Sequence, residues 1–167
     1  MCSSDLPVVA VRGDHDRLDG LALPRTAVVS VAGRRIGLTH GGGRHHDFAV
    51  LSAHVAAGRR LAFRGGLHRA LIRRLGPVDC VVYGHWHEPV AERVDGVLVF
   101  SPGAVCPWGS LQGGRAPRRG LKGIGDRGVR RYRWQLGPEA MTPTVGLLDV
   151  GPGGVSARHV RLRAPVP

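Results

Sequence analysis

The sequence predicts an α/β fold, in which short strands form a sheet and a helix packs against it. Short runs of β-branched and other apolar residues recur along the chain, and several of them end in a loop that contains glycine. One longer segment carries apolar residues at helical spacing. With 167 residues, 43% of them apolar, the chain is long enough to bury a core of its own.

The first strands are predicted in the N-terminal quarter. Residues 7–12 form a β-rich run that ends at Gly13, which indicates a strand entering a loop. Two further β-rich runs, residues 26–31 and 35–39, flank Ala32-Gly33-Arg34 and predict a hairpin.

A helix is predicted over residues 59–75, where leucines and an isoleucine recur among basic residues, and Gly76-Pro77 ends it. The apolar run 79–83 then predicts a buried strand. Two more hairpins follow. They comprise residues 90–94 with 97–100 around Asp95-Gly96, and residues 144–150 with 155–162.

The composition indicates which classes of protein the chain can belong to. No run of 18 apolar residues exists, so no membrane span is predicted, and the N-terminus lacks the pattern of a signal peptide. Three cysteines at no metal-like spacing favour a reducing, cytoplasmic compartment, with Cys80 as a buried apolar side chain.

The net charge of +12 is concentrated in one part of the chain. Residues 110–134 hold eight basic side chains and one acid, a local charge of +7, within a Gly/Arg-rich stretch at 107–142 that predicts a long loop or insertion. The basic segment 115–133 would attract nucleic acid or another acidic partner. The residues favour the alternative of a solvated loop, because only Tyr132 and Trp134 interleave with the arginines.

Three loops combine glycine with histidine or aspartate directly after a predicted strand. They are Gly13-Asp14-His15-Asp16, His40-Gly41 and Gly84-His85-Trp86-His87. Imidazole and carboxylate groups are ligands for zinc, iron, nickel and manganese, and strand ends along one edge of a sheet are where sites form. Each loop alone is also consistent with an ordinary turn, whereas three in this order indicate a metal site.

These loops resemble the calcineurin-like metallophosphoesterases, and among them the small bacterial and archaeal phosphodiesterases. The first loop looks like the family's Gly-Asn-His/Cys-Asp block, the second like its histidine-glycine block and the third like its Gly-His-x-His block. The run Ser101-Pro102-Gly103-Ala104 is similar to the Asn-Pro-Gly-Ser loop that follows. The resemblance covers residues 7–106 and leaves out the basic stretch.

The resemblance implies an α/β/β/α sandwich and a metal-dependent phosphoesterase that hydrolyses phosphodiesters or phosphomonoesters at a dinuclear site. Asp14, His40 and His85 would bind one ion and His87 the other, the ions being two of Mn, Fe, Ni or Zn. Two such ions can clamp a phosphoryl group and activate a hydroxide. Asp14, His40 and His85 are also a set of two histidines and one carboxylate that can hold a single ion, so at most one ion is expected to be well held here.

The same resemblance assigns two catalytic side chains. His15 would protonate the leaving oxygen or steady the phosphoryl group, and Asp16 would orient His15 by a hydrogen bond. Two departures from the pattern stand out. Asp14 occupies the position of the family's asparagine, and the Asp-x-His and Gly-Asp blocks that usually come first are absent from this sequence.

We therefore expect residues 1–167 to be a single, partial metallophosphoesterase domain that lacks the first strands and helix. The alternative is a non-catalytic scaffold, since the family includes such a subunit of the retromer coat, or a module that binds nucleic acid or an acidic partner. The sequence leaves the substrate, the identity of the metal and the oligomeric state open.

Overall fold

A computed structural model describes residues 6–13, 16, 22–42, 60–105 and 142–162 of the chain. Within these ranges the chain forms seven strands and one helix. They are β1 (Thr26–Val31), β2 (Arg34–Thr39), α1 (Arg60–Leu75), β3 (Cys80–Tyr83), β4 (Pro89–Val94), β5 (Val97–Pro102), β6 (Thr144–Gly151) and β7 (Gly154–Arg161). The α1 helix is neither long nor apolar enough to cross a membrane.

Five strands form a mixed sheet in the order β1-β2-β3-β5-β4. The outer pairs β1/β2 and β4/β5 are antiparallel hairpins, whereas β2, β3 and β5 run parallel through the centre. The parallel register places Thr39 beside Tyr83, so β2 and β3 end at the same level. Strands β6 and β7 pair separately as a two-stranded sheet.

The helix covers one face of the five-stranded sheet. Because side chains alternate along a strand, β3 sends Val81 and Tyr83 to this face, where they pack with Leu71 and Leu75 of α1. Gly37 in β2 allows the close approach, since a Cβ there would lie 2.9 Å from Leu75 Cδ1.

The β6–β7 hairpin covers the opposite face. Cys80 and Phe100 point there and pack with Val155. Cys80 is a free thiol with no exposed surface, as predicted, and burial raises its pKa to about 11. Arg34 fastens the hairpin by donating from Nη2 to the Pro152 carbonyl oxygen at 2.8 Å.

Strands β5 and β6 meet where one ends and the other begins. Thr144 donates its backbone N–H to the Ala104 carbonyl oxygen at 2.9 Å and its hydroxyl to the Pro102 carbonyl oxygen at 2.8 Å. The two hydrogen bonds pin together the two ends of the segment between residues 105 and 143.

The structure confirms the α/β class, the helix and all three hairpins, with shifts of one or two residues at their ends. Three layers of the expected sandwich, α/β/β, lie in the described ranges. The strand predicted at residues 7–12 is wrong: these residues are irregular, and residues 6–10 are exposed. A β-rich run becomes a strand only when another strand pairs with it, and Arg12 donates instead to the Pro24 carbonyl oxygen. The stretch 107–141 lies outside the described residues.

Candidate metal centre

The ends of two parallel strands bring the two histidine loops together. His40 follows β2 and Gly84 follows β3, and the Gly84 N–H donates to the His40 carbonyl oxygen at 3.2 Å. Parallel strands present their carboxyl ends at one edge of a sheet, which is where ligand sites form in α/β folds. The strand register therefore dictates that His40 and His85 are neighbours.

The imidazoles of His40 and His85 are in direct contact. His40 Nε2 and His85 Nδ1 lie 3.2 Å apart, and the two rings meet edge to face with centroids 5.0 Å apart. Both residues are half-buried. In a hydrogen bond at this distance one ring nitrogen donates its N–H and the other accepts, according to the tautomers of the two rings.

Gly13, at the start of the first loop, lies close to the His40 ring. Gly13 donates its backbone N–H to Asp16 Oδ2 at 2.6 Å, and a Cβ on Gly13 would lie 3.3 Å from Nδ1 of His40. Asp14 and His15, the predicted ligand and the predicted proton donor in this loop, lie outside the described residues. Asp16 is half-buried, and its role in orienting His15 stays a prediction.

Two residues of the third loop have backbone conformations that residues other than glycine rarely adopt. His85 and His87 have φ of 71° and 55°, in the left-handed region. The Trp86 N–H donates to the Gly84 carbonyl oxygen at 2.8 Å, which closes a three-residue γ-turn with His85 at its centre. Residues held in such conformations cluster at functional sites, because the surrounding structure must hold them there.

Glycines leave just enough room around the pair. Gly41 has a φ of 85°, and a Cβ there would lie 2.9 Å from Tyr83 Cδ2. A Cβ on Gly42 would lie 2.8 Å from His85 Nδ1. Gly41 and Gly42 thus let the second loop pass directly against the third.

Trp86 anchors the third loop in the helix-side core. It is buried with Leu71 and Val99, and its indole meets the His85 ring edge to face at 4.7 Å between centroids. His87, the predicted ligand of a second ion, is half-buried one residue further along. Its metal role stays a prediction.

A buried polar network behind the loop was missed by the sequence analysis. His68 of α1 has no exposed surface, its Nδ1 lies 2.6 Å from Glu92 Oε1, and its Nε2 lies 2.8 Å from the Tyr83 hydroxyl. Arg64, one turn earlier, pairs with Glu88 at 3.1 Å and with Glu92 at 3.3 Å. The position of His68 among the apolar residues of α1 is the signal that would have found it.

Burial decides which groups of this network are protonated. Desolvation lowers the pKa of His68, although the Glu92 carboxylate opposes this shift, and desolvation raises the pKa of Tyr83. A neutral His68 ring donates Nδ1–H to Glu92 and accepts the Tyr83 O–H at Nε2. Every polar group of the ring is then satisfied, as burial requires.

In the part of the chain that the structure describes, no group of three or more His, Cys, Asp or Glu side chains is arranged to hold a metal ion. The described donors are the two imidazoles of His40 and His85. Their chemistry suits zinc, iron, nickel and manganese. Their 3.2 Å separation is close to the edge of a tetrahedral zinc site, roughly 3.3 Å for Zn–N bonds of about 2.05 Å.

Comparison with known proteins identifies the family. The sequence profile of the calcineurin-like phosphoesterase superfamily domain matches residues 1–116, more than half of the chain. The chain therefore belongs to this superfamily, and the resemblance predicted from its three loops is confirmed.

Individual relatives cover the chain unevenly. A phosphodiesterase of Methanocaldococcus jannaschii is 37% identical over 59 residues, which are 35% of this chain and 30% of that protein. A solved archaeal phosphodiesterase is 25% identical with a TM-score of 0.39, over 89% of this chain and 57% of that one. Vps29 of Entamoeba histolytica, solved in complex with zinc, is 19% identical with a TM-score of 0.47, over 92% and 68%. The chain thus spans well under two thirds of both phosphodiesterases.

Proposed function

We propose that this member of the calcineurin-like phosphoesterase superfamily hydrolyses phosphate esters with the help of divalent metal ions, and that its substrates are phosphodiesters. The superfamily match supports phosphoester hydrolysis in general, and the archaeal relative is named a phosphodiesterase. We also propose that residues 1–167 belong to one metallophosphoesterase domain, located in the cytoplasm.

The observation that carries the proposal is the contact between His40 and His85. These residues are 45 positions apart in sequence, yet their ring nitrogens lie 3.2 Å apart at the carboxyl edge of the parallel strands. A chance pair of loop histidines has no reason to be enclosed by glycines on neighbouring loops. Here Gly13 approaches the His40 ring and Gly42 approaches the His85 ring, at distances that a Cβ would fill.

The proposed ligands of the metal ions are Asp14, His40, His85 and His87. Bound there, a divalent ion supplies a Lewis acid for the phosphoryl oxygens and lowers the pKa of a bound water. His40 and His85 must both present lone pairs to such an ion, so on binding each neutral ring would carry its proton on the nitrogen that faces away from the ion. Manganese, iron, nickel and zinc all suit this donor set.

His15 and Asp16 are the proposed catalytic pair. An imidazolium beside the phosphoryl group can protonate the leaving oxygen, and a carboxylate that accepts a hydrogen bond from its other ring nitrogen orients the ring. The acceptor oxygen Asp16 Oδ2 is already fixed by the Gly13 N–H at 2.6 Å. Its second oxygen is the one proposed to reach His15.

The test is metal binding by the full chain, followed by hydrolysis of an aryl phosphodiester. We expect His85→Ala to weaken Mn²⁺ or Zn²⁺ binding, measured by calorimetry, by about a hundredfold, because even outer-shell partners of a metal ligand contribute 10–100-fold. His159→Ala is the matched control. His159 is also half-buried, and it bonds the Ser101 carbonyl oxygen at 2.9 Å instead of facing His40.

Equal metal affinity of His85→Ala and the wild type would refute the metal site. Metal binding without hydrolysis of any phosphodiester or phosphomonoester would instead favour the alternative of a non-catalytic scaffold. In that case, binding of nucleic acid through residues 115–133 is expected to weaken steeply as salt is added.

A further inference from the structure

We infer that helix α1 is a positioning element for the metal-binding loop, and that it holds both ends of Gly84–His87 through His68 and Arg64. His68 acts on Tyr83, the residue before the loop, and Arg64 acts on Glu88, the residue after it. The inference rests on the proposed function, because it concerns the geometry of the proposed ligands His85 and His87.

The entry of the loop is fixed by one tyrosine. Tyr83 is the last residue of β3 and is buried, and its hydroxyl lies 2.8 Å from Nε2 of His68. Its ring also lies directly against Gly41, where a Cβ would come within 2.9 Å. Tyr83 is thus followed directly by the third loop while its ring packs against the second, so the direction of the ring bears on both loops.

The exit of the loop is fixed by charge. Arg64 reaches Glu88 Oε1 at 3.1 Å and Glu92 Oε2 at 3.3 Å, and the Glu88 side chain is largely buried. Glu92 is shared, since its other oxygen lies 2.6 Å from Nδ1 of His68. The two anchors are thus one connected network, and the position of each depends on the other.

Simple packing of α1 on the sheet does not require this network. Leu71 and Leu75 already pack on Val81 and Val99. Burying an imidazole is unfavourable unless both of its nitrogens are paired, and an apolar side chain at position 68 would avoid that cost. What the network adds is a fixed direction for Tyr83, which the strained turn at His85 needs because its φ of 71° is not favoured locally.

The experiment is amide hydrogen exchange in the metal-free full chain, with Tyr83→Phe as the variant. This substitution removes only the hydroxyl. The amides to follow are those of Gly84 and Trp86, which bond the His40 and Gly84 carbonyl oxygens. The Leu98 amide, which bonds the Asp79 carbonyl oxygen at the opposite end of β3, reports global stability.

We expect the Gly84 and Trp86 amides to exchange about tenfold faster relative to Leu98, since the loss of a buried hydrogen bond makes local opening of the loop easier. His68→Gln keeps one donor and one acceptor and should retain much of the protection, whereas His68→Leu should lose it. Arg69→Ala is the control, because Arg69 is exposed on α1 and pairs only weakly with Asp95 at 3.5 Å.

Unchanged exchange at Gly84 and Trp86 relative to Leu98 would overturn the inference, and so would equal effects of His68→Gln and His68→Leu. These readouts need no metal. A wild-type chain that binds no metal would therefore count against the proposed function alone, whereas unchanged exchange would count against the positioning role alone.

Discussion

Two loops of this molecule contain residues with positive φ, and the reasons differ between the two. The turn between β4 and β5 places Asp95 at a φ of 50° and Gly96 at 83°, and the loop after β3 places His85 at 71° and His87 at 55°. The first turn is open: a Cβ on Gly96 would meet no described atom within 4 Å. The second is enclosed by Tyr83, Trp86 and the neighbouring glycine loop.

The difference shows where each conformation is encoded. Aspartate and glycine adopt positive φ readily, so the Asp95-Gly96 turn is specified by its own two residues. The histidine side chain lacks the short carboxylate that lets aspartate hydrogen-bond to its own backbone in this conformation. The loop after β3 is held by contacts from α1, β2 and the helix-side core. A locally specified turn should tolerate changes in its surroundings, whereas an externally held loop should not.

The largest expected effect comes from a pair of glycines with nearly the same φ. Gly41 lies at 85° and Gly96 at 83°. Gly41→Ala adds a methyl group against Tyr83 Cδ2 and the Gly84 carbonyl oxygen, so we expect a loss of about 3 kcal/mol in the free energy of unfolding. Gly96→Ala adds only the backbone term, about 1 kcal/mol. Urea denaturation of both variants measures the difference.

Equal losses for Gly41→Ala and Gly96→Ala would show that backbone conformation alone sets the cost. The contacts around the histidine loop would then add nothing to the free energy lost in Gly41→Ala.

An intermediate effect is expected at Gly42, where the backbone φ is not positive but space is short. A Cβ there would lie 2.8 Å from His85 Nδ1. Gly42→Ala should displace the His85 ring and weaken Mn²⁺ or Zn²⁺ binding by about tenfold, because small misplacements of ligands are costly. Gly151→Ala is the control, since the same methyl group there meets no described atom within 4 Å. Calorimetric titration of both variants provides the comparison, and unaltered affinity in Gly42→Ala would contradict it.

The smallest expected effect is a change in how stability depends on pH, and it comes from His68. Burial lowers the pKa of His68 below its ordinary value of 6.5 in the folded state. The unfolded chain therefore takes up the proton first, and the stability that His68 contributes above pH 6.5 is lost as the pH falls through its folded pKa. Arg64, Glu88 and Glu92 are the charged groups around it.

His68→Gln removes this titration. We expect its free energy of unfolding to fall less than that of the wild type between pH 7.5 and pH 5.5, as measured by urea denaturation at both values. Identical slopes for the two proteins would show that burial does not lower the pKa of His68.

The sequence predicts the locally encoded elements well. Asp95-Gly96 specifies a hairpin by its own residues, and Gly76, at a φ of 73°, ends α1 where the glycine-proline pair predicted. Residues 7–12 show the limit of such reasoning. Their β-propensity is genuine, but a strand needs a partner, and strand partners are not encoded within the strand.

The site divides in the same way. The three glycine loops are visible in the sequence, and the order of the parallel strands brings His40 and His85 together. The network around His68 is different, because its partners Tyr83 and Glu92 lie 15 and 24 positions away. A histidine among the apolar positions of a helix signals a buried polar contact, but only the packing of α1 on β3 and β4 identifies the partner.

The two hydrogen bonds of Thr144 to Pro102 and Ala104 have a consequence for how this protein can change. The carbonyl oxygens of Pro102 and Ala104 and the backbone of Thr144 lie together, so the two ends of the sequence between Ala104 and Thr144 are held at one point. Once the ends of a loop are held together, doubling its length costs only about 0.6 kcal/mol. A change of length between these two residues is therefore expected to cost little in stability and to leave the sheet that carries His40 and His85 unchanged.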